Sequence, residues 1–348
     1  MTDRAEDRAR EDETPFFIVG SGRSGTTLVR SLLNAHPALA VTPETHYLKR
    51  AFREGAASQP APDDFPAFWR ELTAWSRFRD TELDADAVLA RIEAGGDRSF
   101  RAVFAAMLAE YAAARGKRRA GEKTPGHYRY LPTIFTWFPG ARVLVLRRDP
   151  RDVVASHLGS PWVTGELRPG RLAAPLIRRL RLFHIAERAA LWREANGPFL
   201  GGADGDPRMH VVRYEQLVRD PEGEVARICA FLGEASDPAM LASRAQGRAT
   251  PPAGAADPGW RDWAKRHHAR AGAPVSDGSV GRWRETLSAS EATLVEAICA
   301  AEMARHGYAA EMGPRQAWHP GRALLALGHL EDRVRRRERP GAVPYQSS

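Results

Sequence analysis

Phe16-Phe17-Ile18-Val19-Gly20-Ser21-Gly22-Arg23-Ser24-Gly25-Thr26-Thr27-Leu28 decides the fold of this chain. Its four leading apolar residues stop at a glycine, which suits a short buried strand and is too little for a helix. Leu28, Leu32 and Leu33 then recur at helical spacing. Between strand and helix, Gly20–Thr27 interleaves glycines with hydroxyls. Glycines let the backbone curl so that several N–H groups face one hollow, the following helix adds its positive N-terminal end, and hydroxyls add donors. The same residues also read as a tight turn before a well-capped helix. The coincidence of strand, glycines, hydroxyls and helix favours a phosphate cradle.

A Walker loop, G-x-x-x-x-G-K-[ST], carries a lysine that reaches the terminal phosphates and a hydroxyl on magnesium. Gly20 and Gly25 keep that spacing, but Thr26 stands where the lysine belongs and the positive charge sits at Arg23. Such a loop suits a ligand held without a metal and argues against an ATPase.

Outward from the loop, Arg142–Arg147 (RVLVLR) and Met209–Tyr214 (MHVVRY) read as further strands. Strands separated by helical stretches predict an α/β fold: a P-loop-like parallel sheet flanked by helices, with helical insertions. Residues 56–66 are a Pro-rich break, and about 67–115 reads as a helical insertion. Residues 1–14 are expected to be a disordered tail, 15–320 a single domain, and 321–348 a C-terminal helix and tail. Residues 245–280 read as a long loop, and a helix is expected from about Ser288 to His306.

Composition bounds the partners. The chain has 348 residues, 43% hydrophobic and 27% charged, with a net charge of +8 that favours an anionic ligand. The run Arg333–Arg339 contains Glu338 and abuts Pro340, so it reads as a solvated helix end, and no nucleic-acid partner is expected. No apolar run reaches membrane-spanning length and the charged N-terminus is unlike a signal peptide, so a cytoplasmic location is expected. Cys229 and Cys299 read as two buried thiols, neither at metal-ligand spacing.

Gly22–Leu28 followed by Leu33-Asn34-Ala35-His36-Pro37 resembles the 5′-phosphosulfate loop and helix of sulfotransferases that use 3′-phosphoadenosine 5′-phosphosulfate (PAPS). The likeness is to the bacterial and tyrosylprotein-type branch, which carries Arg-Ser-Gly-Thr-Thr. It implies that Gly22, Arg23, Ser24, Gly25, Thr26 and Thr27 bind the 5′-phosphate end, with Arg23 at the leaving oxygen. Arg148 and Ser156, eight residues apart after the second strand, are similar to the family's 3′-phosphate motif. Asp149 and Asp152 in that segment also read as local partners of Arg151 and a helix cap. Tyr214, in Tyr-Glu-Gln-Leu, resembles a tyrosine near the adenine, or else a core aromatic. Gly278–Arg284 (GSVGRWR) looks like the loop over the 3′-phosphate, implicating Ser279, Gly281 and Arg282. The Arg-Lys-Gly that opens this loop in cytosolic members is here Ser276-Asp277-Gly278.

For chemistry, the resemblance implies in-line sulfuryl transfer to a hydroxyl or amine on a small-molecule or peptide acceptor, leaving 3′-phosphoadenosine 5′-phosphate (PAP). No metal is expected, and a homodimer is allowed. Glu44 in Pro43-Glu44-Thr45 matches the base, or else reads as a cap of the following helix or the partner of a nearby cation, and Lys123 in Glu122-Lys123-Thr124-Pro125 matches the cation at the transferred group. Cytosolic members place a basic histidine where Pro125 stands; His46 and His127 lie nearby as competitors. The alternatives are a P-loop kinase or NTPase, with Asp149 as its magnesium carboxylate, and a non-catalytic nucleotide-binding protein. Trp69, Trp75, Phe78 and Trp162 read either as acceptor-site aromatics or as core.

Overall fold

The computed structural model describes residues 14–160, 174–245, 275 and 277–312. The expected N-terminal tail up to residue 13, most of the expected loop over 245–280, Trp162 and the C-terminal helix and tail lie outside the described residues.

Five strands, β1 (Phe16–Gly20), β2 (Leu39–Val41), β3 (Arg119–Lys123), β4 (Arg142–Arg147) and β5 (Met209–Arg213), form one sheet in the order β2-β3-β1-β4-β5. Every pairing is parallel, with Ile18 opposite both Lys123 and Leu144. The expected α/β architecture is therefore present. The apolar runs located β1, β4 and β5; β2 and β3 are additional.

The helices in chain order are α1 (Thr26–Ala35), α2 (Tyr47–Arg53), α3 (Phe65–Ala74), α4 (Ser76–Arg79), α5 (Ala85–Gly95), α6 (Phe100–Ala113), α7 (Leu131–Trp137), α8 (Pro150–Leu158), α9 (Ala174–Glu194), α10 (Tyr214–Arg219), α11 (Pro221–Leu232), α12 (Ala239–Ala245), α13 (Trp283–Thr286) and α14 (Ala289–Arg305). The described residues fall into two compact units, one drawn from 1–148 and 195–280, the other from 149–194 and 281–348.

The first unit holds the sheet. Side chains alternate across a strand, so β1 sends Phe16 and Ile18 to one face and Phe17 and Val19 to the other. The first pair packs with Leu144, Leu146, Val29 and Leu32 of α1, and Ile228 of α11. The second pair packs with Val143, Val145, Phe104 of α6 and Ile134 of α7. Because β1 is buried on both sides, it reads as an unbroken apolar run rather than as an alternation. Each such side chain contributes about 1.5–3 kcal/mol by leaving water.

The insertion spans α3–α6, and α3, α5 and α6 start at side-chain caps. Asp64, Asp84 and Ser99 accept from the N–H groups of Ala67, Asp86 and Ala102. Trp69 meets Phe78 edge-on at 6.0 Å and stacks on Phe65, while Trp75 packs partly buried beneath the Arg50 guanidinium. These aromatics pack the insertion's own core.

The second unit packs α8, α9 and α14 around Val153, Val154, Ile185, Trp192, Val295 and Cys299. Both cysteines are buried free thiols. Burial pushes the Cys229 thiol up to about 11 and that of Cys299 well above its ordinary value, so neither is a ready nucleophile. No helix among the described residues is long and apolar enough to cross a membrane.

Candidate active site

The site forms at the C-terminal edge of β1 and β3, where the sheet order turns: β3 lies on one side of β1 and β4 on the other. Ligands of open parallel sheets bind at such a place.

The loop after β1 depends on two glycines. Gly20 has φ +146°, and a Cβ there would lie 2.4 Å from the Leu146 carbonyl oxygen of β4. Gly25 has φ +96°, and a Cβ would lie 2.5 Å from Cδ2 of Tyr214. Arg23 between them adopts φ +71°, a left-handed conformation that costs a non-glycine residue about 1–2 kcal/mol. Helix α1 follows with Gly25 as its N-cap, no side-chain cap and no acid in its first turn. Its leading N–H groups and positive end thus face the loop unneutralised by a carboxylate on the helix. Ser24 is fully buried, and its hydroxyl has no hydrogen-bond partner. Thr26 is buried too, and Gly22 and Thr27 are half-buried.

Arg148, directly after β4, joins the loop to two other predicted residues. Its Nη1 donates to the Arg23 carbonyl at 3.2 Å and its Nη2 to the Ser279 carbonyl at 2.6 Å. Its guanidinium lies 4.2 Å from the Tyr214 ring centroid. Arg23, Gly25, Arg148, Tyr214 and Ser279 are thereby brought together. Tyr214 opens α10 instead of ending the strand, and its ring is what fills the space beside Gly25.

Ser156, Gly281 and Arg282 belong to the second unit. Ser156 is half-buried on α8, and Arg282 is exposed at the start of α13. Gly281 N–H donates to Asp152 Oδ2 at 2.8 Å, and Trp283 N–H to Oδ1 at 3.0 Å. Asp152 was expected to serve Arg151. That guanidinium is engaged by Asp149 and Glu296, each at 2.7 Å, so the Asp152 carboxylate turns to two backbone donors. Asp149 does cap α8, accepting from Arg151 N–H at 2.8 Å, and both its oxygens are committed to Arg151.

Opposite the loop, β3 ends at Lys123. Its Nζ donates to Glu44 Oε1 at 2.7 Å, and His46 Nε2 lies 3.3 Å from Glu44 Oε2. Lys123 is buried, whereas the Glu44 side chain is 34% exposed. Burial pushes the Glu44 carboxyl up, but the Lys123 charge and the bonds from His46 and Lys123 more than reverse it, holding the group well below the carboxylate range. The sequence placed Glu44, Lys123 and His46 in one site and offered a cation as a partner of Glu44; the structure identifies that cation as Lys123.

Behind this pair lies a network the sequence reading missed. Glu122 is fully buried. Its Oε1 accepts from Thr45 Oγ1 at 2.8 Å, Thr124 Oγ1 at 2.6 Å and Thr45 N–H at 3.4 Å. Its Oε2 lies 2.9 Å from Nδ1 of His127. Burial pushes this carboxyl up, and the His127 charge and the three side-chain bonds bring it below its ordinary value. His127, a competitor for the base, instead orients a buried acid. The available signal was the alternation of Glu122 and Lys123, which sends adjacent side chains to opposite faces of β3.

The chain is similar in sequence and in fold to several known proteins. The chain is 31% identical over 233 residues to nodulation protein NoeE of Sinorhizobium fredii, covering 65% of this chain and 51% of that protein. It is 25% identical over 238 residues to protein-tyrosine sulfotransferase A of Caenorhabditis elegans, covering 67% and 53%. It thus spans about half the length of these relatives. The sulfotransferase domain from the curacin biosynthetic pathway shares the fold, with TM-score 0.51 at 19% identity over 86% of this chain and 98% of that one. Residues 15–238 match the family model described as the Sulfotransferase family, and the chain belongs to that family.

Proposed function

We propose that the chain transfers a sulfuryl group from PAPS to a hydroxyl or amine acceptor, with Glu44 as general base and no metal. The observation that carries this reading is the Lys123–Glu44 contact at 2.7 Å on the sheet edge where the Gly22–Thr27 loop opens.

The residues present suit the donor. PAPS would supply a sulfuryl group on a phosphate leaving group, and both of its ends are anionic. The Gly22–Thr27 backbone, the α1 N-terminus and the unpartnered Ser24 hydroxyl form an anion-binding set for the 5′ end. Arg23 adds the charge that a Walker lysine would otherwise bring. Arg148 supplies a planar fork matched to phosphate oxygens, which supports a 3′-phosphate role shared with Ser279, whose carbonyl it already holds. The Tyr214 ring supplies a flat face beside the loop.

At the transferred group, Lys123 faces two anions in turn. Beside Glu44 its charge keeps the carboxylate ionised and makes it a weak proton acceptor. When Nζ turns toward charge developing on the sulfuryl oxygens, Glu44 loses its counter-charge and gains basicity as the acceptor needs deprotonating. His46 stays as a second contact that orients the carboxylate. One relative is named a protein-tyrosine sulfotransferase, and a tyrosine side chain offers a hydroxyl acceptor.

The test is turnover of ³⁵S-labelled PAPS with a cellular metabolite extract as the acceptor source. Glu44→Gln and Lys123→Ala are expected to lower transfer about 10²–10⁴-fold while PAP still raises the melting temperature. Unchanged transfer in both variants would overturn the assignment. PAP is expected to stabilise the wild-type chain without magnesium, and ATP with magnesium is not. The reverse would point to a kinase-like protein.

A further inference from the structure

Glu122 touches none of the groups assigned to chemistry, yet it is an ionised carboxylate with 0% exposure. It sits on the side of β3 that faces the aromatic core. Its partner His127 is 1% exposed and meets the Phe104 and Tyr130 rings edge-on at 6.5 and 6.0 Å. An isolated charge in such surroundings is strongly disfavoured. The cost is offset here by donors that come from two separate stretches of chain, Thr45 on one and Thr124 with His127 on the other. Thr45 follows Glu44, and Thr124 follows Lys123. Thr124 Oγ1 also accepts His46 N–H at 3.2 Å, and Thr45 Oγ1 accepts Tyr47 N–H at 3.2 Å.

We propose that Glu122 is a positioning residue that holds Glu44 and Lys123 at contact distance by fixing Thr45, Thr124 and His127 from behind. This rests on the sulfuryl-transfer reading and adds to it the part of the chain that sets the geometry of the base. The side chains of Glu44 and Lys123 end in flexible bonds, so the 2.7 Å contact requires their backbones to be fixed. The Glu122 carboxylate ties both backbones to one point, and the bond from His46 N–H to Thr124 Oγ1 runs beside it. A lost hydroxyl or charge in this network lengthens the Lys123–Glu44 contact, and Glu44 then becomes easier to protonate.

The test uses Glu122→Gln, which keeps shape but removes charge, and Thr45→Val, which removes one hydroxyl from the network. Three measurements are made on the full chain. One is the protonation midpoint of Glu44 by carbon-13 carboxyl NMR, its signal assigned by its loss in Glu44→Gln. The others are release of labelled sulfate from ³⁵S-labelled PAPS with water as acceptor, and PAP affinity. The groups facing Glu44 are Lys123 and His46, and the titratable group facing Glu122 is His127, so each histidine signal is followed in the same spectra.

In both variants the Glu44 midpoint is expected to rise by about one pH unit, a tenfold change in proton affinity. Sulfate release is expected to fall about tenfold, with PAP affinity within twofold of wild type. A Glu44 midpoint that stays at its wild-type value in both variants would sink the positioning role. So would a loss of PAP affinity equal to the loss of sulfate release, because that is damage to the whole site. If Glu44→Gln itself leaves sulfate release unchanged, the catalytic reading falls instead, and the Glu44 midpoint still decides whether Glu122 positions it.

Discussion

At Gly25 two demands fall on one residue: φ is +96°, and the Tyr214 ring occupies the space where a side chain would begin. Gly25→Ala therefore must both strain the backbone and push Tyr214 off the loop, and Tyr214 carries the Arg148 guanidinium on its ring. The expected outcome is loss of PAP binding by at least about tenfold, measured calorimetrically. Retained wild-type affinity would mean that the loop does not hold the nucleotide. Much of this was legible in the sequence, because a glycine at a fixed offset from a strand end reports a backbone requirement. Tyr214 as the neighbour of Gly25 was not legible, since the two are far apart in the chain and meet only because β1 and β5 flank β4. Glu122 was hidden for another reason. A carboxylate inside an apolar core is satisfied by hydroxyls and a histidine, and its alternation with Lys123 along β3 sets it on the other face without showing that this face is buried.

The elements divide along the same line. Strands β1, β4 and β5 carry apolar runs and were readable; β2 has three residues and β3 reads Arg-Ala-Gly-Glu-Lys. All five β3 residues are nonetheless buried. Arg119 at its start donates to the Thr14 and Leu232 carbonyls, and Glu122 and Lys123 at its end are paired as described. Burial of polar side chains by specific pairing defeats a hydrophobicity criterion. The edge strand β2 is held by a comparable device. Asn34 of α1 donates to the Val41 carbonyl at 3.0 Å and accepts its N–H at 2.8 Å, so one amide imitates a neighbouring strand. Arg30 adds bonds to the carbonyls of Val41 and Thr42. Asn34 and His36 thus have structural work within the segment that resembles the family: His36 closes α1, its Nε2 2.9 Å from the Ala235 carbonyl oxygen. Asn34→Ala is expected to cost about 1–3 kcal/mol, read as a lower urea midpoint with an unchanged slope. Since β2 leads directly to Pro43-Glu44, the same variant is expected to slow transfer more than it weakens PAP binding. Equal effects on both would separate β2 from the base.

For the molecule as a whole, the carboxylates held in strong contacts predict how stability responds to acid. Glu44 and Glu122 in the first unit and Glu291 in the second are all held below the ordinary glutamate value of 4.5. In each case burial raises the group and stronger opposing contacts lower it: Lys123 for Glu44, His127 for Glu122, and the Arg181 bond for Glu291. A carboxyl whose folded value lies below its unfolded value binds fewer protons when folded. Its contribution is fully present above the unfolded value and is lost as pH falls through the folded one. Stability measured by urea unfolding is therefore expected to be flat between pH 7 and about 5.5 with respect to these groups, and to fall steeply below pH 4.5. Protonation also raises the net charge above its +8 at neutral pH, and self-repulsion steepens the fall. Glu122→Gln cannot titrate at that position, so the variant should begin less stable at pH 7 and lose less on acidification. The two stability curves should draw closer as the pH falls below 4.5. Parallel curves across the whole range would mean that Glu122 binds its proton equally in the folded and unfolded chain, which its four donors do not allow.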